Sequence, residues 1–262
     1  MNGQVARRKL GYRLFTTKVL VSASILTAIS IILSRFLGVI IPIAGLPAQK
    51  ITFGAIPIAI VGIVFGPIAG ILSGIVSDLV GFLINPMGGM YFPGFTVSAA
   101  LSGAIPGIVY KILKQKKFNF KKINFNIINS LMIIFMAAGV IKGLQLKGLL
   151  IFSKGSVYYG GGELSKGYII AFIALTLAYI VIPAIIKRKY NEEDSLYSID
   201  KILFITTLCY LTISIVLNTF WLSILFNKGF MIFLPTRIIF SFVIIPLNTI
   251  VLYTMTKLIK YI

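Results

Sequence analysis

Residues 51–110 read ITFGAIPIAIVGIVFGPIAGILSGIVSDLVGFLINPMGGMYFPGFTVSAALSGAIPGIVY and contain a single charged side chain, Asp78. A helix that crosses a membrane needs about 20 mostly apolar residues, so this stretch is long enough for three spans. Turn signals divide it at Gly66-Pro67 and in the loop 85–94, which contains Asn-Pro, Gly-Gly and Pro-Gly. The stretch therefore predicts an all-α membrane protein that crosses the bilayer several times.

Further uncharged apolar runs lie on both sides of this stretch. One precedes it at 19–34, and four follow it, at 123–141, 167–186, 202–227 and 238–256. Together these segments predict eight spans. The chain is 58% hydrophobic and only 12% charged, which is about half the charge of a soluble domain, so an ordinary water-soluble globular protein is excluded.

Basic residues outnumber acidic ones by 25 to 6 among the 262 residues, for a net charge of +19. They gather at the ends of apolar segments, as anionic lipid and the positive-inside bias select. With the N-terminus inside, most of them fall on the cytoplasmic side of an eight-span arrangement. We therefore predict a multi-pass protein of the cytoplasmic membrane with both termini cytoplasmic, whose partner is the lipid bilayer and not nucleic acid.

The residue types that carry catalysis and metal binding are scarce. The chain has no histidine and one cysteine, Cys209, which lies in an apolar run. Disulfides, histidine-based triads and the common metal sites are therefore excluded, and an enzyme is disfavoured. No phosphate-binding loop of the Gly-x-x-x-x-Gly-Lys-Ser/Thr type is present, so we expect no bound cofactor and no use of ATP by this chain itself.

Asp78 is a candidate functional residue because a charged side chain at membrane depth is costly. It follows Gly66, Gly70 and Gly74 at four-residue intervals, which places all four on one helical stripe. Small residues at this spacing mark a face where membrane helices approach closely, so Asp78 should point into the bundle. Two readings stay open: an acceptor for a ligand's N–H groups, or a structural acceptor for a neighbouring hydroxyl or amide.

Two arginines lie at the ends of predicted spans, both on the predicted outer side. Arg35 ends the first span, and Arg237 opens the last one just after Pro235. A guanidinium matches a carboxylate in a bidentate pair, so two fixed cations with few carboxylates favour an anionic solute. The alternative for Arg35 is that its side chain reaches the membrane interface without a ligand.

Aromatic residues are predicted at the same level as these arginines. Tyr91, Phe92 and Phe95 surround a Pro-Gly pair, and Asn218 lies three residues before Trp221 on one helical face. Interface belts are rich in aromatics anyway. A flat heterocycle with a carboxylate tail would use both features, because rings stack on it, an amide or carboxylate reads its edge, and arginines hold the acid.

Several motifs, in the same order along the chain, resemble the folate-specific S components of energy-coupling-factor (ECF) transporters. The resemblance covers roughly residues 15–115 and 199–260. It is carried by SILTAISIILSRF at 24–36, GAIPIA at 54–59, FGP at 65–67, the Asp78 helix, YFPGFT at 91–96, LNTFWLS at 217–223 and LPTR at 234–237.

This resemblance implies a six-helix vitamin-binding subunit that docks onto a membrane T subunit and two cytoplasmic ATPase subunits, which hydrolyse the ATP. It implies folate or a related pterin as the ligand, with contacts from Arg35, the Phe92–Phe95 loop, Asn218, Trp221 and Arg237. The docking face on the first helix would be Ser24-x-x-x-Ala28. The outer loops at about 41–50 and 87–95 would act as lids.

The chain departs from the six-helix pattern by an extra pair of apolar segments. We therefore divide it into spans 1–4 of the core at 1–117, an inserted transmembrane hairpin with a charged linker at 118–198, and the last two core spans at 199–262. An inserted pair preserves the sidedness of everything that follows it.

Other functions stay open on the sequence alone. A different vitamin, such as riboflavin or thiamine, would suit the same type of S component. An autonomous secondary carrier is a further alternative, although the chain shows no strong internal repeat and only one mid-membrane acid. Uptake by the chain alone would favour the carrier, whereas uptake only with T and ATPase subunits would favour the S component.

Overall fold

The computed structural model describes residues 16–43, 45–87, 89–115, 124–146, 148–153, 156–159, 162–163, 166–189 and 197–259. Helices dominate it, and short strands lie in the connections. The helices are α1 Thr17–Arg35, α2 Ala55–Phe65, α3 Pro67–Ile84, α4 Pro93–Leu113, α5 Phe125–Leu146, α6 Lys166–Lys189, α7 Ile199–Cys209, a π-helical segment Tyr210–Leu217, α8 Asn218–Leu225 and α9 Phe230–Ile259. The strands are β1 Val39–Ile43, β2 Leu46–Ile51, β3 Leu150–Ser153, β4 Ser156–Tyr159 and β5 Gly162–Glu163.

The chain divides into two units, the first made of Met1–Ile41 with Lys50–Phe118 and the second of Pro42–Gln49 with Asn119–Ile262. Strands β1 and β2 form a two-stranded sheet, and β3, β4 and β5 form a three-stranded sheet in that order. Both β3–β4 and β4–β5 pair antiparallel.

Helices α3 and α4 of the first unit approach each other closely along a row of small residues. A Cβ atom added at Gly70 would lie 2.6 Å from the carbonyl oxygen of Gly103, and one added at Gly74 would lie 2.9 Å from the Cα of Ala100. These neighbours are backbone atoms, so only glycine allows the approach. The predicted small-residue face is therefore confirmed for Gly70 and Gly74.

Gly66 does not belong to that face. It joins α2 to α3 with φ of 98°, and a Cβ placed there would meet nothing within 4 Å. A positive φ of this size favours glycine because it has no side chain, and Pro67 then occupies the first turn of α3. The prediction that Gly66 continues the packing stripe is wrong, since the residue makes a turn between helices.

Helix α1 is held to the same unit by buried hydroxyl groups. Ser30 donates its Oγ hydrogen to the carbonyl of Gly54 at 2.7 Å and shares a hydrogen bond of 2.9 Å with Ser77 of α3. Both serines are buried. Hydroxyls that bond across helices stabilise packing where no water is available.

The second unit has its own apolar core, to which α5, α6, α7 and α9 contribute. Buried side chains at its centre are Ile133, Met136, Val140, Tyr179, Leu203, Ile215, Ile238, Phe242 and Ile245. The hydroxyl of Tyr179 in α6 lies 3.1 Å from that of Thr207 in α7. Within this unit the predicted hairpin helices α5 and α6 thus pack directly against α7 and α9.

Helices occupy all eight segments in which spans were predicted. Across the described ranges, six are long and apolar enough to cross a bilayer, namely Thr17–Arg35, Pro67–Ile84, Pro93–Leu113, Phe125–Leu146, Ile199–Leu225 and Phe230–Lys257. Helix α2 has only 11 residues, about 16 Å of rise, so it is too short to cross alone. Helix α6 has 24 residues, with an apolar stretch at Phe172–Ile185. The all-α, multi-pass prediction is confirmed.

The three-part division of the chain stays a prediction. Its first boundary, between residues 117 and 118, lies outside the described residues, as do both termini.

Candidate functional site

The end of α1 carries an ion pair with the mid-membrane acid of α3. The Nη2 atom of Arg35 lies 2.9 Å from Oδ1 of Asp78, and only 11% and 15% of the two side chains is exposed. The sequence predicted both residues as site candidates but treated them separately. The structure brings them together, so the charge of Arg35 is already balanced by Asp78.

The second carboxylate oxygen of Asp78 connects the pair to α4. Thr96 donates its hydroxyl hydrogen to Asp78 Oδ2 at 2.7 Å, and the hydroxyl of Tyr91 lies 2.9 Å from Thr96 Oγ1. Asp78 lies one turn beyond Gly74 on α3, and this position places it opposite the first turn of α4. The predicted residue Tyr91 therefore belongs to the same polar network as Arg35.

Asn85 clamps Arg35 through two hydrogen bonds, each of which ends on a backbone carbonyl. Asn85 donates from Nδ2 to the carbonyl of Arg35 at 2.9 Å, and Nη1 of Arg35 reaches the carbonyl of Asn85 at 3.4 Å. The Asn85 side chain also accepts the backbone N–H of Met87 at 2.9 Å. Sequence reasoning used Asn85 only as a turn signal. Its role as a clamp depends on the approach of the ends of α1 and α3, which no local pattern encodes.

Lys50 is a further residue of this cluster that the sequence analysis did not select. It lies in β2, and burial lowers the pKa of its ammonium to about 8, with the positive charge of Arg35 acting in the same direction and Asp78 opposing it. Two residues later, the hydroxyl of Thr52 donates to the carbonyl of Leu33 in α1 at 2.8 Å. Strand β2 is therefore anchored where α1 ends.

Aromatic rings surround the start of α4. The rings of Phe92 and Phe95 meet edge to face with centroids 5.8 Å apart, and those of Phe82 and Tyr91 are tilted with centroids 5.3 Å apart. Tyr91 is 41% exposed. The predicted group of Tyr91, Phe92 and Phe95 is thus placed at the polar network and leaves ring surface open.

In the second unit, Arg237 is almost fully buried, with 4% of its surface exposed. Its Nη1 donates to the carbonyl of Ser214 at 2.6 Å and lies 3.3 Å from the Ser214 hydroxyl. Ser214 belongs to the π-helical segment Tyr210–Leu217. Such segments are uncommon and often occur at functional sites. Nothing in the sequence pattern predicted this one.

Asn218 and Trp221 follow the π-helical segment on α8. The Oδ1 atom of Asn218 is buried without a hydrogen-bond partner among the described residues, and the ring of Trp221 packs at 5.1 Å from that of Phe220. The side-chain amide of Gln49 reaches the hydroxyl of Tyr210 at 3.4 Å in the same unit. A buried amide oxygen with no donor is available to accept an N–H from a ligand.

A shallow apolar groove of about 420 Å³ runs along the face of α1. Ser24 and Ala28 line it from α1, while Ile68, Leu72 and Val76 line it from α3. Ser24 and Ala28 are exposed, as a docking surface requires. Neither residue contributes a side chain to the polar network around Arg35 and Asp78.

Six helices of the described part are apolar and long enough to cross a membrane, and the helices hold ion-paired or buried charged side chains at Arg35, Asp78 and Arg237. Charged side chains held in an apolar bundle are typical of a membrane protein that binds a solute. Residues 18–153, slightly more than half of the chain, match the family described as "ECF transporter, substrate-specific component". The chain belongs to this family, whose members are substrate-binding components of transporters and not enzymes.

Two relatives refine the comparison. The folate transporter FolT of Clostridium novyi (strain NT) is 32% identical over 105 residues, which are 40% of this chain and 56% of that protein. The chain thus matches somewhat more than half the length of this relative. A crystal structure of FolT bound with folic acid is similar in fold, with a TM-score of 0.52 at 20% identity, over 92% of this chain and 93% of that one.

Proposed function

We propose that this chain binds folate or a related pterin at the outer face of the cytoplasmic membrane and mediates its uptake as the S component of an ATP-driven ECF transporter. The observation that carries the proposal is the 32% identity with a folate transporter in a chain of the substrate-specific family. The chemistry of the polar network around Arg35 and Asp78, and that of Asn218 and Arg237 in the second unit, agrees with it.

The ligand groups and the side chains correspond in kind. A pteridine ring is flat and carries N–H donors, which suit the carboxylate of Asp78 and the amide oxygen of Asn218. Aromatic faces at Tyr91, Phe92 and Trp221 suit stacking. The acid tail of folate suits a cationic site.

Partner subunits, and not this chain, would use the ATP. The S component would dock onto a membrane T subunit through the groove at Ser24 and Ala28, and two cytoplasmic ATPase subunits would hydrolyse ATP. Both termini would lie in the cytoplasm. No cofactor is expected on this chain.

Folate should quench the fluorescence of the purified protein. Trp221 is the only tryptophan of the chain, so the signal comes from one predicted contact. We expect saturable quenching by folic acid in detergent that competing riboflavin or thiamine does not relieve. Saturable binding of either competitor in place of folic acid would assign a different vitamin.

Transport separates the S component from an autonomous carrier. Proteoliposomes that contain the chain with T and ATPase subunits should take up folate when ATP is supplied, and those with the chain alone should not. ATP-independent uptake by the chain alone would contradict the proposal.

Filling the groove on α1 should reduce docking and spare ligand binding. We expect Ala28→Phe to reduce co-purification of the T subunit by about tenfold, because a bulky ring blocks a close helix approach, while folate affinity stays unchanged. Ile25→Phe is the matched control, since Ile25 is exposed on α1 and does not line the groove. Equal loss of docking and binding in Ala28→Phe would indicate misfolding and would contradict this assignment.

A further inference from the structure

The charge of Arg35 is already paired with a carboxylate inside the protein. Its guanidinium pairs with Asp78 Oδ1 at 2.9 Å and reaches the carbonyl of Asn85 at 3.4 Å. Asp78 is in turn bonded by Thr96. A ligand carboxylate that approached Arg35 would also meet the like charge of Asp78, so Arg35 is a poor first choice for binding an anion.

Lys50 carries the positive charge that the Arg35–Asp78 pair leaves unbalanced. The first unit places two cations, Arg35 and Lys50, beside one carboxylate, Asp78, which leaves a charge of about +1 when the Arg35–Asp78 pair is counted as neutral. Among the residues that the structure describes, no carboxylate lies within ion-pair distance of Lys50. A lysine that is largely withdrawn from water and lacks a counter-ion is uncommon.

The position of Lys50 is fixed by its surroundings. Its Cε would lie 3.1 Å from a Cβ atom placed on Gly38, so the side chain crosses the backbone just beyond the end of α1. The anchor from Thr52 to Leu33 holds the end of β2 against α1. Because Gly38 has no side chain, the Lys50 side chain has space at this position. The Lys50 ammonium therefore lies in the electric field of the Arg35–Asp78 pair.

We propose that Lys50 is the residue of the first unit that binds the carboxylate of the ligand, and that Arg35 is a positioning residue that holds Asp78. The inference rests on the proposed function and deepens it, because it assigns which cation binds the carboxylate of the ligand. It also makes binding dependent on pH, since a lysine can lose its charge whereas arginine cannot.

The sign of the pH dependence follows from the pKa of Lys50. Burial and Arg35 lower this pKa from 10.5 to about 8 in the ligand-free protein, and Asp78 opposes the shift. The ammonium is charged below about pH 8 and neutral above it, so affinity for an anion falls as pH rises through that value. Arg35 and Asp78 are the charged groups that face Lys50 among the described residues, and a bound carboxylate would raise its pKa.

Stability of the ligand-free protein should change in the opposite direction. A lysine whose folded pKa is lowered binds fewer protons in the folded state than in the unfolded one between about pH 8 and 10.5, so its contribution to stability rises with pH in that window. A lysine that only capped α1 would give this stability trend and no loss of ligand affinity. The two roles are therefore separable by measuring both quantities.

The test compares the full-length protein with Lys50→Met and Lys50→Arg, using folic acid titrations followed by Trp221 fluorescence. We expect Lys50→Met to weaken binding about tenfold to a hundredfold near pH 7, the loss of one charge-assisted bond. Wild-type affinity should fall about tenfold between about pH 7 and pH 9. Lys50→Arg should keep its affinity across that range, and any titration of folic acid itself is common to both proteins.

Pteroic acid is a second probe, because it keeps the pteridine and lacks both carboxylates of the glutamate tail, so that its one carboxylate lies directly on the benzoyl ring. We expect Lys50→Met to weaken its binding less than that of folic acid. Wild-type affinity for folic acid with an unchanged pH profile in Lys50→Met would overturn the Lys50 assignment and leave the proposed function standing. Absence of folate binding by the wild-type protein would overturn the proposed function itself.

Discussion

Replacing Gly74 by alanine is expected to prevent α3 and α4 from packing. The Cβ of this alanine would collide with the backbone of α4, at the carbonyl oxygen of Ala99 and at the Cα of Ala100. Because backbone atoms cannot rotate away as side chains do, the helices must separate along the row that also includes Gly70 and Gly103. We expect a loss of about 3 kcal/mol or more, at or above the upper end for overpacking a core, and little monodisperse protein after purification.

Gly139→Ala is the matched control for that substitution. Gly139 also lies inside an apolar helix, α5, but a Cβ there would be 3.5 Å from the flexible end of Ile238, an ordinary contact. Alanine is the better helix former by up to about 1 kcal/mol, so the control should be neutral or slightly stabilising. Thermal unfolding in detergent and the elution profile would report both variants. A Gly74→Ala protein as stable as the control would contradict the close packing of α3 on α4.

The fold class could be predicted from the sequence because apolar length and turn signals act locally. The apolar stretch at 51–110 divides at Gly66 and in the loop 85–94, where the structure ends its helices. The four-residue spacing of Gly70, Gly74 and Asp78 also placed these residues correctly on one face. Gly66 has the same spacing and a different role, because a helix must end before α3 begins and spacing alone does not show where.

The site could be predicted as a set of residues but not as a set of pairs. Composition marked Arg35 and Asp78 as costly in a membrane, and an apolar setting predicts that such charges find partners. Which partner each finds depends on how three segments meet at the end of α1. Asn85 and Lys50 were missed for the same reason, since each lies in a connection where hydropathy carries no information about long-range contact.

The second unit shows a different limit. Arg237, Asn218 and Trp221 were selected from motif and helical spacing, yet regular spacing of 3.6 residues does not hold through the π-helical segment Tyr210–Leu217. There the wider turn changes which side chains share a face. Within that segment the carbonyl of Ser214 accepts a hydrogen bond from Arg237, a contact between backbone and side chain that sequence cannot specify.

Removing Asp78 is expected to destabilise the protein through Arg35. In Asp78→Ala the guanidinium keeps its low exposure and loses its counter-ion, and breaking a buried pair in this way costs about 3–5 kcal/mol. Asp78→Asn should lose less, because the amide keeps the shape of the side chain and can still accept from Thr96. Unfolding of these variants in detergent measures both losses.

The double variant Arg35→Met with Asp78→Ala separates structure from binding. It removes both charges, and since an apolar replacement of a buried pair is often nearly neutral, we expect it to recover most of the stability lost in Asp78→Ala, a coupling of about 2–3 kcal/mol. Folate affinity should stay low in the double variant if Asp78 accepts the N–H groups of the pteridine. Recovery of both stability and affinity would make the pair purely structural, and a double variant no more stable than Asp78→Ala would show that the two charges are not energetically coupled.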